Sequence, residues 1–164
     1  MDRDPVDDII EQWNTERPDV DVSGMAIIGR ISRLDRLIRP KLNNVFATHD
    51  LESWEFDVLA TLRRSGDPFR LSAGQLLDSM MITSGTMTNR IDRLEKRGFV
   101  HRIKDPDDGR VVLAVLTKKG KETIDAALVD HAANEKSIVD SLASKDQLAL
   151  TEILRRFHVS LSDS

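Results

Sequence analysis

The chain has 164 residues, 40% hydrophobic and 32% charged, with 24 basic against 28 acidic side chains and a net charge of −4. That length can bury a real core, and no apolar run approaches the roughly 20 residues that span a membrane. Cysteine is absent, which removes disulfides, thiol nucleophiles and cysteine-bearing zinc sites. The acidic start MDRDPVDDII lacks the layout of a signal peptide, so a cytoplasmic chain is expected.

Residues 5–16 read as a short helix. Pro5 suits a first turn, Asp7, Asp8 and Glu11 favour a helix N-terminus, and Arg17-Pro18 ends it. Ser23 is placed to cap a long helix over about 24–47, with Ile27, Ile31, Leu34, Ile38, Leu42 and Val45 at spacings of three and four. Pro40 lies inside that pattern and is expected to kink it. A helix over about 52–64 carries Phe56, Leu59, Ala60 and Leu62, and RRSGDP breaks it.

Ser72 caps a short helix over 73–80, with Leu76 and Leu77 inward. Thr83 or Ser84 begins another that runs to Arg97, and Gly98 follows as its C-terminal cap. Two β-prone runs, 99–104 and 110–117, flank DPDDG and read as a β-hairpin. Two helices close the chain, about 118–142 behind Thr117 and about 145–161.

The net charge hides an asymmetry. Residues 1–22 hold eight acids and two bases, whereas residues 84–110 hold seven bases and five acids. Local potential governs encounter with a polyanion more than the total does. Within that basic stretch Met87, Ile91 and Leu94 point one way, while Thr86, Asn89, Asp92, Arg93 and Lys96 lie mostly on the other side. Any surface helix shows such a division. Here a short helix precedes it and a hairpin follows, which is the order of a winged helix-turn-helix. Asn pairs with adenine and Thr with base edges or a thymine methyl. Arg110, just after the tight turn, is placed for a narrow minor groove.

Residues 84–103, SGTMTNRIDRLEKRGFVHRI, followed by DPDDGRVVLAVLTKKG, closely resemble the MarR family of transcriptional regulators. The resemblance implies a mainly α fold with a small β-hairpin wing. In it a winged helix-turn-helix, 51–117, stands between N-terminal helices, 1–50, and C-terminal helices, 118–164. Those outer parts form a dimerisation lobe. It further implies a homodimer on double-stranded DNA with a pseudo-palindromic site. The residues expected to contact DNA are Ser84, Thr86, Thr88, Asn89, Arg90 and Arg110. Asp108 corresponds to the aspartate that braces the wing arginine. Gly109 departs from the family pattern, where a second arginine stands.

The added N-terminal segment resembles the urate-responsive, PecS-like branch. There a Trp on the first helix, an Asp before the winged lobe and an Arg on the recognition helix form a ligand pocket. The matching positions are Trp13, Asp67 and Arg93. A flat purine anion such as urate, or an aromatic acid, would stack on indole and pair with guanidinium. Each residue also has a plain role open to it. Trp13 can anchor the first helix, Asp67 can form the turn before Pro68, and Arg93 can meet phosphate, Asp92 or Glu95.

His49, His131 and His158 read as surface or packing residues, and His101 stands beside the wing. No metal site, cofactor site or catalytic set emerges, so the chain is not expected to be an enzyme. HExxH, GxSxG, GxxxxGKS/T and GxGxxG do not occur. The expected function is a ligand-responsive regulator, a repressor released by a small anionic effector. The competing expectation is a winged-helix module that binds protein rather than DNA.

Overall fold

A computed structural model describes residues 3–80 and 87–162. The chain divides into two compact units, Met1–Lys41 and Leu42–Ser164.

The first unit holds α1 (Pro5–Glu16) and the greater part of α2 (Met25–Thr48). Asp4 caps α1: its carboxylate accepts from the Val6 and Asp7 N–H groups at 2.7 and 3.3 Å, and Asp7 accepts from the Asp4 N–H at 2.9 Å. This reciprocal box satisfies donors that a helix start leaves open. Val6 is buried and rests on Gly29 of α2, where an added Cβ would stand 3.3 Å from Val6 Cγ1. Arg30 then ties the two helices, donating to Asp4 at 2.8 Å and Asp7 at 2.6 Å. Both carboxyls sit below their ordinary range. For Asp4, burial pushes the other way but is outweighed by the N–H groups and Arg30; for Asp7, the Asp4 N–H leads and Arg30 adds. Pro40 lies inside α2, which continues to Thr48.

The second unit holds the end of α2, then α3 (Ser53–Arg64), β1 (Arg70–Ser72), α4 (Ala73–Met80), α5 (Met87–Lys96), β2 (Val100–Lys104), β3 (Val112–Leu116), α6 (Lys118–Val139) and α7 (Ser144–Ser162). The strands form an antiparallel sheet in the order β1-β3-β2, with Val100 opposite Leu116, Lys104 opposite Val112 and Leu71 opposite Ala114. The core gathers Val58, Leu59 and Leu62 of α3, Leu76 of α4, Met87, Ile91 and Leu94 of α5, and Ile124 of α6. Removing one such side chain from water is worth about 1.5–3 kcal/mol. These contacts therefore hold α5 against α3, α4 and the sheet. Arg63 of α3 donates to Asp125 of α6 at 2.6 Å at the edge of this core.

Two differences from the sequence reading stand out. β1 is an additional strand, three residues long, which is too short for a period-two pattern to register. The helix expected over 118–142 ends at Val139, where the Leu142 N–H returns to the Val139 carbonyl and a turn leads into α7. Among the described residues no helix is long and apolar enough to cross a membrane.

Candidate nucleic-acid interface

The interface is built from α4, α5 and the β2–β3 hairpin. Ser72 and Gln75 cap α4 reciprocally: the Gln75 N–H donates to Ser72 Oγ at 3.2 Å and the Ser72 N–H to Gln75 Oε1 at 2.8 Å. α4 buries Leu76 completely, and α5 buries Met87, Ile91 and Leu94 on one stripe. That stripe fixes which side of α5 is left to solvent. Thr88 and Asn89 are exposed on it, and Arg90 is half-buried. Ser84 and Thr86 lie outside the described residues.

α5 stops at Gly98, whose φ of +73° is the left-handed conformation that favours glycine. The Phe99 N–H returns to the Leu94 carbonyl and the Gly98 N–H to the Glu95 carbonyl, both at 2.9 Å, which closes the last turn and aims the chain into β2. From β2, Arg102 reaches back along α5 and pairs with both Asp92 and Glu95. From the sequence, Asp92 or Glu95 is a candidate surface partner for Arg93. They serve instead to lock the wing to the helix.

At the hairpin tip Asp105 accepts from the Asp107 and Asp108 N–H groups at 2.8 and 3.3 Å. Asp108 in turn takes Arg110 in a fork, Nε and Nη2 each donating at 3.0 Å, and accepts the Arg110 N–H at 3.1 Å. These bonds, the guanidinium first, hold the Asp108 carboxyl below its ordinary range. The Arg110 side chain remains 90% exposed, so it is oriented yet available. Gly109 beside it has nothing within 4 Å of an added Cβ.

The three residues of the expected ligand pocket fall in both units. Trp13 belongs to the first and is exposed; Asp67 and Arg93 belong to the second and are exposed. Asp67 and Arg93 share no hydrogen bond or ion pair. Arg93 has partners that the sequence did not announce. Its Nη2 donates to Glu52 Oε1 at 2.6 Å, its guanidinium lies 4.6 Å over the Trp54 ring, and Trp54 Nε1 donates to Glu52 Oε2 at 2.7 Å. The indole N–H first and Arg93 next keep the Glu52 carboxyl below its ordinary range. Arg90 approaches the same ring from 5.6 Å. Glu52 and Trp54 lie some forty residues before Arg93, so no local spacing pointed to them.

The histidines take packing and surface positions. His131 packs on Phe46 and Phe56 with ring centroids 5.1 and 4.7 Å away, and His49 Nε2 meets Asp130 at 2.8 Å. Among the described residues no three candidate ligands gather to hold a metal ion.

The MarR family profile matches residues 51–112. The HTH-type transcriptional regulator PecS of Dickeya dadantii is 40% identical over 151 residues, which is 92% of this chain and 91% of that protein. A MarR-like transcription regulator from Bacillus cereus shares the fold with a TM-score of 0.74 and 26% identity, over 84% of this chain and 97% of the other. A MarR variant from E. coli, solved with operator DNA, shares the fold with a TM-score of 0.70 at 21% identity, over 88% of this chain and 96% of the other. The α4–α5 helix pair, the braced hairpin and near full-length similarity to a regulator agree: the chain belongs to the MarR family of DNA-binding transcriptional regulators and is not an enzyme.

Proposed function

We propose that this protein is a cytoplasmic repressor that binds a pseudo-palindromic operator as a homodimer and is released by a small anionic effector. The observation that carries the reading is the shape of the α5–wing surface. Burial of Met87, Ile91 and Leu94 turns Thr88 and Asn89 outward, and Asp108 holds the exposed Arg110 at the hairpin tip. In this reading Asn89 and Thr86 choose bases in the major groove. Ser84, Thr88 and Arg90 contact the backbone nearby, and Arg110 enters the minor groove. The likeness of fold to a MarR variant solved with operator DNA supports it. Residues 1–50 and 118–164 supply the dimer contacts around the winged lobe, 51–117.

The effector is assigned to Trp13, Asp67 and Arg93. Arg93 already holds a carboxylate and lies over an indole, the two features that a flat anion such as urate, another purine or an aromatic acid would offer. The Arg93–Glu52 pair is exposed on both sides, so it is weak enough for a ligand to replace. Moving Arg93 moves α5, which gives the ligand different affinities for the DNA-binding and released states. The test is a fluorescence titration with urate and salicylate beside a gel shift on the DNA upstream of the gene, with Trp13→Phe as control for Trp54. The expected result is quenching that is lost in Trp13→Phe, together with release of DNA. DNA binding that neither anion alters would remove the three residues as an anion site.

A further inference from the structure

Arg93 and Arg97 stand four residues apart and so share one side of the helix end. Both reach the corner between α2 and α3, which carries Asp50, Glu52 and Glu55. The two grips differ in depth. Arg93 meets Glu52 on the surface. Arg97 Nη1 donates to Glu55 Oε2 at 2.5 Å, while Nη2 donates to the Asp50 carbonyl at 2.5 Å and to Asp50 Oδ2 at 2.6 Å. Glu55 has no exposed surface. Its Oε2 also accepts the Glu52 N–H at 2.9 Å, and its Oε1 is buried without a hydrogen-bond partner. A carboxylate so enclosed needs its cation. The guanidinium is further fixed from below by the Phe99 ring at 4.7 Å, and Lys119 Nζ of α6 donates to the Arg97 carbonyl at 2.9 Å.

We propose that Arg97 is a positioning residue for sequence recognition: through Glu55 and Asp50 it sets where the base-facing side of α5 stands, without touching DNA itself. This rests on the reading of α5 as the helix that enters the major groove. Asn89 lies eight residues from Arg97, about 12 Å along the helix. A small tilt at the anchored end therefore displaces Asn89 by a distance that a bidentate base contact does not tolerate. Both terminal nitrogens of Arg97 are engaged by carboxylates and a carbonyl, so the residue is not presented to phosphate. Its loss should act on discrimination rather than on general affinity for DNA. Arg102 supports the same helix from the wing side, so α5 is held between the corner and the hairpin.

The test uses the full chain and two duplexes of equal length, one selected by the wild-type protein from random DNA and one scrambled. Arg97→Lys keeps the charge but not the fork. Asp50→Asn removes the charge from the exposed half of the grip, keeps the Asp50 carbonyl contact and leaves Glu55 paired. Binding is read by fluorescence anisotropy across a salt series, with thermal melting alongside. Arg97→Lys is expected to weaken the selected duplex about tenfold and the scrambled one less than about twofold, with the salt slope unchanged. Asp50→Asn is expected to weaken the selected duplex about threefold, and it decides the matter alone if Arg97→Lys does not fold. Equal losses on both duplexes, or a lower melting point with the ratio intact, would overturn the proposal. Asn89→Ala is run in parallel. If it lowers the ratio while the other two variants do not, only the role of Arg97 falls. If it too leaves the ratio intact, the reading of α5 falls and the proposal with it.

Discussion

At the scale of the residue, the wing depends on one side chain. Arg110 is oriented by Asp108 and has no second arginine beside it, since Gly109 stands at the turn. Arg110→Ala is expected to weaken operator binding by about 1–3 kcal/mol, with a shallower salt dependence. An unchanged affinity in low salt would remove Arg110 from the interface. The Asp108–Arg110 fork was expected from the resemblance to the MarR family, and its partners stand only two residues apart. The partners of Arg93 and Arg97 were not. Glu52, Trp54, Glu55 and Asp50 precede them by roughly forty residues, and only the folded core of α3 and α5 brings them together. The i,i+4 spacing of two arginines was the sole local sign, and surface helices commonly show it.

At the scale of the element, α5 and α6 are joined by a tight junction. Thr117 caps α6 by accepting the Gly120 N–H at 3.0 Å, and its hydroxyl donates to the Gly98 carbonyl at 2.8 Å. One side chain thus links the end of α5 to the start of α6. Gly120 is packed so closely that an added Cβ would stand 2.0 Å from the Phe99 carbonyl oxygen. Backbone lies on the other side of that contact, so relief requires the strand or the helix to move. Gly120→Ala is expected to destabilise the fold at the upper end of about 1–3 kcal/mol, read by thermal or urea unfolding. Wild-type stability would contradict the junction as described. Sequence patterning found α1 to α7 and the β2–β3 hairpin through apolar spacing and turn residues, and Ser72 and Thr117 cap α4 and α6 as expected. It missed β1, whose three residues gain their strand geometry from pairing with β3.

At the scale of the whole molecule, a single copy leaves large apolar side chains in water. Ile27, Leu34 and Leu37 of α2 are exposed, and so are Leu148, Ile153, Leu154 and Leu161 of α7. Among its described residues α7 buries none. Rows of this kind on long amphipathic helices mark association surfaces. In the proposed homodimer they are covered. Ile153→Glu is then expected to shift the sedimentation coefficient from dimer to monomer at micromolar concentration and to lower operator affinity with it. A wild-type protein that sediments as a monomer at that concentration would overturn the homodimer. The acidic segment 1–22 and the basic 84–110 stretch separate charge along the chain, so in the proposed reading DNA is drawn to the basic stretch despite a net charge of −4.

If the α5–wing surface reads sequence, two affinities must differ. The wild-type chain is titrated against the duplex that it selects from random DNA and against a scrambled duplex, at physiological salt. A ratio of about a thousandfold or more in favour of the selected duplex is expected. Equal affinities for the two duplexes would contradict it.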